Sequence, residues 1–392
     1  MRSRTRASFP TLLRSIWLGA AVIAATTLSA GESLPSLTLA RTITFSELNP
    51  GSDHTSSALK TSPADEPYPP YLCLRYGFIV GGRSLYLGSG RVLDLDTMKM
   101  EERFSNDISY EYISKDGRML YATRANTDSS DISFAWDTIT NQPIKTKEKI
   151  DTESAAIAVH PDGITYAQGF LGVSHELEDI AIINTITGAI AGPSSKYPKS
   201  ERHVKSITQF SDDGRYLIVD HTNLIDVHTF KWISNPEFQT NKKPWETPDP
   251  NYIGDSDVFV FNRDANWVAG IRLVYDGFVF VWDRVHKKYV WKNTTADTPS
   301  AFSPNDKYLL CKGLIVHADT GETAFNDLKG TQGKFSPDGR SLVTVDDKAF
   351  YIYTLPKNSE PIFGVFQKPE PWSPPAAKKL LKTSAKKTPK KP

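Results

Sequence analysis

Cysteine and methionine are scarce in this chain of 392 residues, which contains two of the first and four of the second. Two cysteines are too few for the disulfide framework that stabilises many small exported domains. Because Cys73 and Cys311 fall in different repeats of the sequence, we expect them to be separate buried thiols. The low methionine content, together with 11% aromatic residues, favours a β-rich protein over a helical one.

The sequence also lacks the short motifs of common enzymes. It has no G-x-S-x-G elbow and no glycine-rich phosphate loop before a helix. His175, Glu176, Glu178 and Asp179 crowd one segment, but carboxylate-rich loops are more often solvated than metal-binding, and no second ligand group follows at a known spacing. We therefore predict no catalytic residue, no metal site and no cofactor.

Acidic residues are absent from both ends of the chain. Residues 1–14 contain four arginines and residues 378–392 contain seven lysines, which leaves 35 basic against 45 acidic residues in between. The lysine-rich end admits two interpretations: a polycation that holds the protein at an anionic surface or polymer, and a solubilising tail without a fixed partner. The acidic body argues against nucleic-acid binding by the folded part.

Residues 1–30 have the pattern of a secretory signal peptide. Four arginines precede an apolar run at 16–28, and Ala30 offers a small residue for cleavage. The run is shorter than the roughly 20 residues of a membrane span, and no cysteine near the cleavage point suggests a lipoprotein. We expect a secreted or periplasmic protein cleaved near Ala30; the alternatives are an uncleaved anchor and a mitochondrial-type presequence.

Two further segments have the composition of linkers. Residues 31–69 are rich in Ser, Thr and Pro, and within them RTITFSEL (41–48) alternates in a way that would suit an accessory edge strand. Residues 367–392 are Pro-rich and then Lys-rich. Such a tail has too little apolar surface to offset its ordering entropy, so we expect it to be disordered.

Between these segments, at 70–366, one pattern recurs seven times. Its clearest copy is GKFSPDGRSLVTVDDKAFYIYTLPK (333–357), in which two alternating apolar stretches flank an Asp-Gly pair and a third stretch follows. Asp-Gly in that setting predicts a hairpin, because Gly tolerates the positive φ of the turn. The other hairpins are predicted at 77–86, 112–121, 158–167, 209–218, 260–269 and 301–310.

A third strand is predicted after each hairpin, and a weaker fourth strand follows, for example at 288–293. The third strands are predicted at 90–99, 131–140, 179–188, 222–231, 277–286, 313–322 and 348–357. Successive units start 33 to 51 residues apart. Four short strands at this period indicate the blade of a β-propeller, so the sequence predicts an all-β, seven-bladed propeller of four-stranded antiparallel blades.

The FSPDGR-like turns and the strand endings Trp136-Asp137 and Trp282-Asp283 carry a family resemblance. With them, residues 70–366 resemble the WD-repeat and YVTN-type propellers, although no Gly-His pair recurs before each blade. The resemblance implies a divergent member of that superfamily. It implies a fold rather than an activity, because propellers include both enzymes and scaffolds.

Topology assigns the connections to two faces of the predicted disc. The tight turns between first and second strands and between third and fourth strands lie on one face. The long connections of blades two to five lie on the other, and we expect them to form one rim. These long connections are 124–131, 169–179, 192–203 and 234–256.

Long loops of this kind often bind a partner. The rim contains the aromatic residues Phe170, Tyr197, Trp245 and Tyr252, which we predict as partner-binding residues. The predicted function is an exported, non-catalytic protein-binding or scaffold propeller. The alternative is an exported propeller enzyme, lactonase-like or quinoprotein-like, with its site at the mouth of the central channel.

Closure of the ring has two candidate strands. The outer strand of the last blade comes either from 360–366, directly after the last repeat, or from the N-terminal RTITFSEL. Closure removes exposed sheet edges. Because KNSE (357–360) has the right length for a turn into a fourth strand, we favour 360–366.

Overall fold

The structure, a computed structural model, describes residues 36–48, 76–88, 90–104, 108–124, 134–144, 156–171, 177–192, 207–219, 223–233, 259–272, 278–294 and 297–374. Within these residues, 28 strands form seven four-stranded antiparallel sheets, which are the blades of a ring. The predicted fold class is therefore confirmed.

Each blade is built from strands that follow one another along the chain. Blade 1 contains β2 (Gly77–Ile79), β3 (Ser84–Tyr86), β4 (Arg91–Asp94) and β5 (Met100–Glu102). Blade 2 contains β6 (Ile108–Ile113), β7 (Met119–Arg124), β8 (Phe134–Asp137) and β9 (Gln142–Ile144). Blade 3 contains β10 (Ala156–Val159), β11 (Thr165–Leu171), β12 (Leu177–Asn184) and β13 (Ile190–Ala191).

The next three blades repeat this order. Blade 4 contains β14 (Ile207–Phe210), β15 (Tyr216–Val219), β16 (Asn223–Asp226) and β17 (Lys231–Ile233). Blade 5 contains β18 (Phe259–Phe261), β19 (Trp267–Arg272), β20 (Phe278–Asp283) and β21 (Lys288–Asn293). Blade 6 contains β22 (Pro299–Phe302), β23 (Tyr308–Cys311), β24 (Leu314–His317) and β25 (Thr323–Phe325).

Blade 7 departs from this order because its outer strand comes from the start of the chain. It contains β26 (Gln332–Phe335), β27 (Ser341–Val345) and β28 (Ala349–Thr354), and β28 pairs with β1 (Thr38–Thr44). A one-turn helix, α1 (Phe45–Leu48), follows β1, and a short 3-10 helix (Val80–Gly82) forms the first turn of blade 1. The predicted hairpins and third strands of all seven repeats are thus confirmed.

The hydrophobic core lies between neighbouring blades. Trp282 and Phe280 of blade 5 pack against Ile218 and Leu224 of blade 4, and these side chains are almost fully buried. The opposite side of blade 5, with Val281, packs in the same way on blade 6. Because a strand alternates its side chains between two faces, every blade buries both faces against its neighbours.

The N-terminal strand closes the ring. Ile43 is 0% exposed and packs in the cluster that joins blade 7 to blade 1, and the Arg41 guanidinium donates a hydrogen bond to the Met98 carbonyl of blade 1. Strand β1 lies in the segment 31–69 that the sequence predicts as a linker. The preference for 360–366 as the outer strand was therefore wrong.

The backbone of 360–366 explains why that prediction failed. Pro361 has no N–H to donate to a ladder, and its carbonyl accepts the Gly364 N–H at 3.0 Å in a tight turn. The Phe363 carbonyl accepts the Asn305 N–H of blade 6 at 3.1 Å. These backbone groups therefore serve a turn and a contact with blade 6 rather than a fourth strand.

Candidate functional site

The innermost strands of all seven blades surround a central channel with a cavity of about 590 Å³. Its wall combines polar and apolar surface in similar amounts. Buried phenylalanines stand near the same end of the innermost strands in blades 1 and 4 to 7: Phe78, Phe210, Phe261, Phe302 and Phe335. The channel wall is therefore continuous with the packing between the blades.

Two lysines of the channel wall pair with groups of the wall itself. The Lys334 ammonium donates to the Tyr76 carbonyl at 2.7 Å and lies 4.6 Å from the centre of the Tyr76 ring. This contact joins blade 7 to the start of blade 1. At the mouth on the hairpin side, Lys115 and Asp212 form an ion pair at 3.3 Å. Lys334 and Lys115 therefore bind groups of the propeller itself.

The tight turns between first and second strands, with the turns between third and fourth strands, form one face of the ring, here called the turn face. In blade 2, the Ser114 hydroxyl donates to Asp116 Oδ1 at 2.6 Å and accepts the Met119 N–H at 2.8 Å. Asp116 Oδ1 also accepts the Arg118 N–H at 3.0 Å. The recurring Ser-x-Asp-Gly-Arg pattern therefore satisfies the backbone donors of the turn. Ser211 with Asp213 and Ser336 with Asp338 repeat the arrangement.

An aspartate at the end of the third strand organises the second kind of turn. Asp137 Oδ1 accepts the N–H groups of Ile139 and Thr140, and Oδ2 accepts the Arg118 guanidinium at 3.0 Å. Burial raises the pKa of Asp137, but the hydrogen bonds from Thr140 and Arg118 outweigh it, so the pKa lies below its usual value. Asp226 and Asp283 hold their own turns in the same manner. The aspartate of each strand-ending Trp-Asp pair therefore stabilises the turn that follows the third strand.

Contacts between successive turns link the blades around this face. His160 of blade 3 shows how: its Nδ1 accepts the Asp162 N–H at 3.1 Å, and its Nε2 lies 2.9 Å from the Gly214 carbonyl oxygen of blade 4. The ring is 2% exposed. Further links join Tyr121 to Gly163, Asp213 to Arg263, and Arg263 to Asp306.

Asp306 lies on the turn face and has a raised pKa, whereas the pKa values of Asp137 and Asp162 are lowered. Burial and the nearby charges of Asp212 and Asp264 raise its pKa to about 6, against the opposing effect of the Arg263 N–H. Its Oδ1 accepts that N–H at 2.9 Å. Among the described residues, however, no group of three or more His, Cys, Asp or Glu side chains is placed to hold a metal ion.

The C-terminal segment 356–374, here called the strap, covers the turn face. Phe363 is 0% exposed and packs on Tyr308 of blade 6 and Phe335 of blade 7. Asn305 of blade 6 donates its N–H to the Phe363 carbonyl and its side-chain amide to the Ile362 carbonyl. The strap thus enters the turn face between blades 6 and 7.

From there the strap crosses the mouth of the channel. The Phe366 N–H donates to the Pro337 carbonyl at 2.7 Å, and the Phe366 side chain lines the channel cavity. Lys368 then pairs with Asp116 of blade 2 at 2.7 Å. The contacts pass from blades 6 and 7 to blade 2, so the strap spans the mouth.

Trp372 ends the crossing between blades 3 and 4. It is 3% exposed and packs with Phe210 and other buried side chains of these blades. Its N–H donates to Asp162 Oδ2 at 2.9 Å, and its indole N–H donates to the Val227 carbonyl at 3.3 Å. Burial raises the pKa of Asp162, but the N–H groups of Trp372 and Ile164, which donate to its carboxylate, help to keep the pKa below its usual value.

The predicted disorder after about residue 368 is therefore wrong for residues 368–374. Isolated large apolar residues in a Pro-rich tail were the available signal, and Trp372 in KPEPWSPP is the clearest of them. The lysine-rich residues 378–392 lie outside the described residues.

The face opposite the strap, here called the loop face, carries the connections predicted to bind a partner. The described strand ends place them there: β7 ends at Arg124, β13 at Ala191 and β17 at Ile233. Phe170 lies in β11 and its backbone pairs with Asp179, so 169–171 and 177–179 belong to strands rather than to a loop. Tyr197, Trp245 and Tyr252 lie outside the described residues, as do His175 and Glu176.

Cys311 is a buried free thiol, and burial raises its pKa to about 12. Cys73 lies outside the described residues.

Among the helices that the structure describes, none is long and apolar enough to cross a membrane. No protein-family model matches the chain, and no curated protein has a detectably similar sequence.

Proposed function

We propose that the protein is an exported, WD-like or YVTN-like propeller that binds a protein partner through its loop face and acts as a scaffold. The observation that carries this proposal is the difference between the two faces. Short turns on one face bond to one another and lie beneath the strap. The strands that flank the long connections of blades 2 to 5 end on the other face, so we assign partner binding to that face.

The sequence of those connections supports the same surface. Tyr197, Trp245 and Tyr252 are large aromatic residues in largely polar connections, and Phe170 lies near the end of β11, next to such a connection. Aromatic residues are prominent among interface hot spots. Pro244, Pro248 and Pro250 restrict the longest connection and so reduce the entropy that it loses on binding. The connections of this face therefore combine aromatic side chains that can contact a partner with prolines that restrict the backbone.

The test is capture of the partner by the tagged protein isolated from its native host. Trp245→Ala is expected to weaken capture by about 2 kcal/mol, as truncation of an interface hot spot does, with melting unchanged. The matched control is Ile139→Ala, because Ile139 is 57% exposed on the turn face. The control is expected to change neither capture nor melting.

Two results would overturn this proposal. If Trp245→Ala lowers the melting temperature and leaves capture normal, the connection only covers its own blades. If Ile139→Ala weakens capture as much as Trp245→Ala, the partner does not discriminate between the faces.

Export is the second part of the proposal, and it rests on the arginine-rich start, the apolar run at 16–28 and Ala30. Intact mass of the protein from its native host is expected to correspond to a chain that starts near residue 31, found outside the cytosol. A cytosolic protein that retains residues 1–30 would contradict export.

A further inference from the structure

The strap consists of two parts that are held differently. Residues 356–366 are wedged between blades 6 and 7, with Phe363 fully buried and backbone hydrogen bonds to Asn305 and Pro337. Residues 367–374 are largely exposed, and Trp372 is the buried side chain among them. The first part is integral to the ring, whereas the second lies on its surface.

The second part is attached at two described points. Lys368 pairs with Asp116 at 2.7 Å, with 38% and 15% of their side chains exposed. Trp372 fills the site between blades 3 and 4, where Asp162 and the Val227 carbonyl accept its N–H groups. Between these points the backbone runs from blade 2 to the site between blades 3 and 4, and the exposed Glu370 and Pro371 precede Trp372.

We propose that residues 367–374 form a releasable latch on the turn face beside the mouth of the channel, and that Trp372 is the residue that fixes this latch to the ring. The catch is the site formed by Asp162, Phe210 and Val227 between blades 3 and 4. The occupant of this catch is the chain's own C-terminal segment. The inference does not depend on partner binding at the loop face.

Residues 367–374 can leave the surface while the seven blades stay folded, because this segment makes few contacts with the blades. Release of Trp372 and Lys368 breaks the hydrogen bonds and the ion pair named above, and it leaves β1 paired with β28 along its length. Segments with little buried apolar surface open locally at lower free energy than core strands. Opening exposes the catch, a buried site between blades 3 and 4 with two hydrogen-bond acceptors, Asp162 and the Val227 carbonyl.

Hydrogen exchange on the full chain tests whether the latch opens by itself. The non-proline amides of residues 367–373, above all that of Trp372, which donates to Asp162, are expected to exchange at least about 100-fold faster than those of β27, because local opening precedes unfolding. In Trp372→Ala, the latch amides should lose their protection, and the turn at 160–165 should lose part of its own. Protection of β27 should remain within about threefold of the wild type.

A milder pair of variants keeps the test decisive if Trp372→Ala folds poorly. Lys368→Gln removes the ion pair to Asp116 and is expected to raise latch exchange about two- to fivefold. Its control is Lys312→Gln, which removes the ion pair to Asp297 at 3.0 Å in blade 6, away from the strap. The control should leave latch exchange unchanged.

Thiol labelling then tests whether the latch covers the catch. Pro161 is buried and precedes Asp162 of the catch, so Pro161→Cys should react with iodoacetamide at least about tenfold faster when Trp372 is also replaced by Ala. The parent without the added cysteine measures the background from Cys73 and Cys311. Equal labelling rates in the two backgrounds, or latch amides that exchange only together with β27, would overturn the proposal.

Discussion

The carbonyl oxygen of Gly364 in the strap occupies the place that a Cβ atom on Gly339 would need. Gly339 forms the tight turn of blade 7 with φ of 67°, and Gly364 has φ of 75° and lies against Asn305 of blade 6. A strap backbone can thread between the two turns because neither glycine carries a side chain. The turn of the last hairpin therefore leaves no room for a side chain at Gly339 while the strap is in place.

Gly339→Ala is accordingly expected to destabilise the protein more than its backbone conformation alone explains. The matched control is Gly81→Ala, since Gly81 has φ of 65° and no atom within 4 Å of its added Cβ. The control should cost about 1–2 kcal/mol of unfolding free energy for a left-handed residue with a side chain. Gly339→Ala should cost about 2 kcal/mol more, because the strap must shift. Urea unfolding measures both, and equal losses would mean that the strap is not wedged there.

The N-terminal strand provides a second prediction. Ile43→Ala is expected to cost about 2–5 kcal/mol in urea unfolding, because its fully buried side chain packs where blade 7 meets blade 1. Leu39→Ala on the same strand is the control, since Leu39 is 41% exposed, and it should cost no more than about 0.5 kcal/mol. If both substitutions cost equally little, β1 does not close the ring.

The sequence predicted the blades well because their pattern is local. Asp338-Gly339 between alternating strands specifies a hairpin through its own turn, and the repetition of that hairpin specifies the ring. The Trp282-Asp283 ending likewise reports a turn that its own aspartate holds. Each of these signals acts within a few residues of the chain.

The places of the two chain ends were mispredicted because they depend on distant partners. Ile43 pairs with a strand more than 300 residues later, and the alternation of 41–48 alone does not identify that partner. Trp372 lies in a Pro-rich tail whose average composition indicates disorder. The tail is held by a few specific contacts, and composition does not register them.

The candidate partner-binding residues have a different standing. Tyr197, Trp245 and Tyr252 lie in segments outside the described residues, and for Phe170 the structure gives its place in β11. Their role stays a prediction that rests on residue type and on the face to which the topology assigns them.

Asp306 provides a prediction about pH. Its pKa of about 6 in the folded state lies above the usual value of 3.8, so its ionisation opposes folding. This unfavourable contribution is fully present above pH 6 and disappears as the pH falls towards 4. Asp306→Asn is therefore expected to stabilise the protein by about 1 kcal/mol at pH 7.5 and by much less at pH 4.5. Asn also tolerates the positive φ of 59° at this position.

The control for this prediction is Asp319→Asn, because Asp319 is exposed in a turn of blade 6. Urea unfolding at the two pH values compares the variants. A stabilisation by Asp306→Asn that is equal at both pH values would show that the charge of Asp306 is not its cause.

The central proposal is that the partner binds the loop face while the strap covers the turn face, and lysine-directed cross-linking of the partner-bound protein tests it most directly. The loop-face connections contain Lys196, Lys199, Lys242 and Lys243. The turn face offers exposed lysines for comparison, namely Lys115, Lys287 and Lys307. Mass spectrometry then assigns each cross-link to one face. The account predicts that cross-links to the partner concentrate on the loop-face lysines, whereas cross-links concentrated on Lys287 and Lys307 would contradict it.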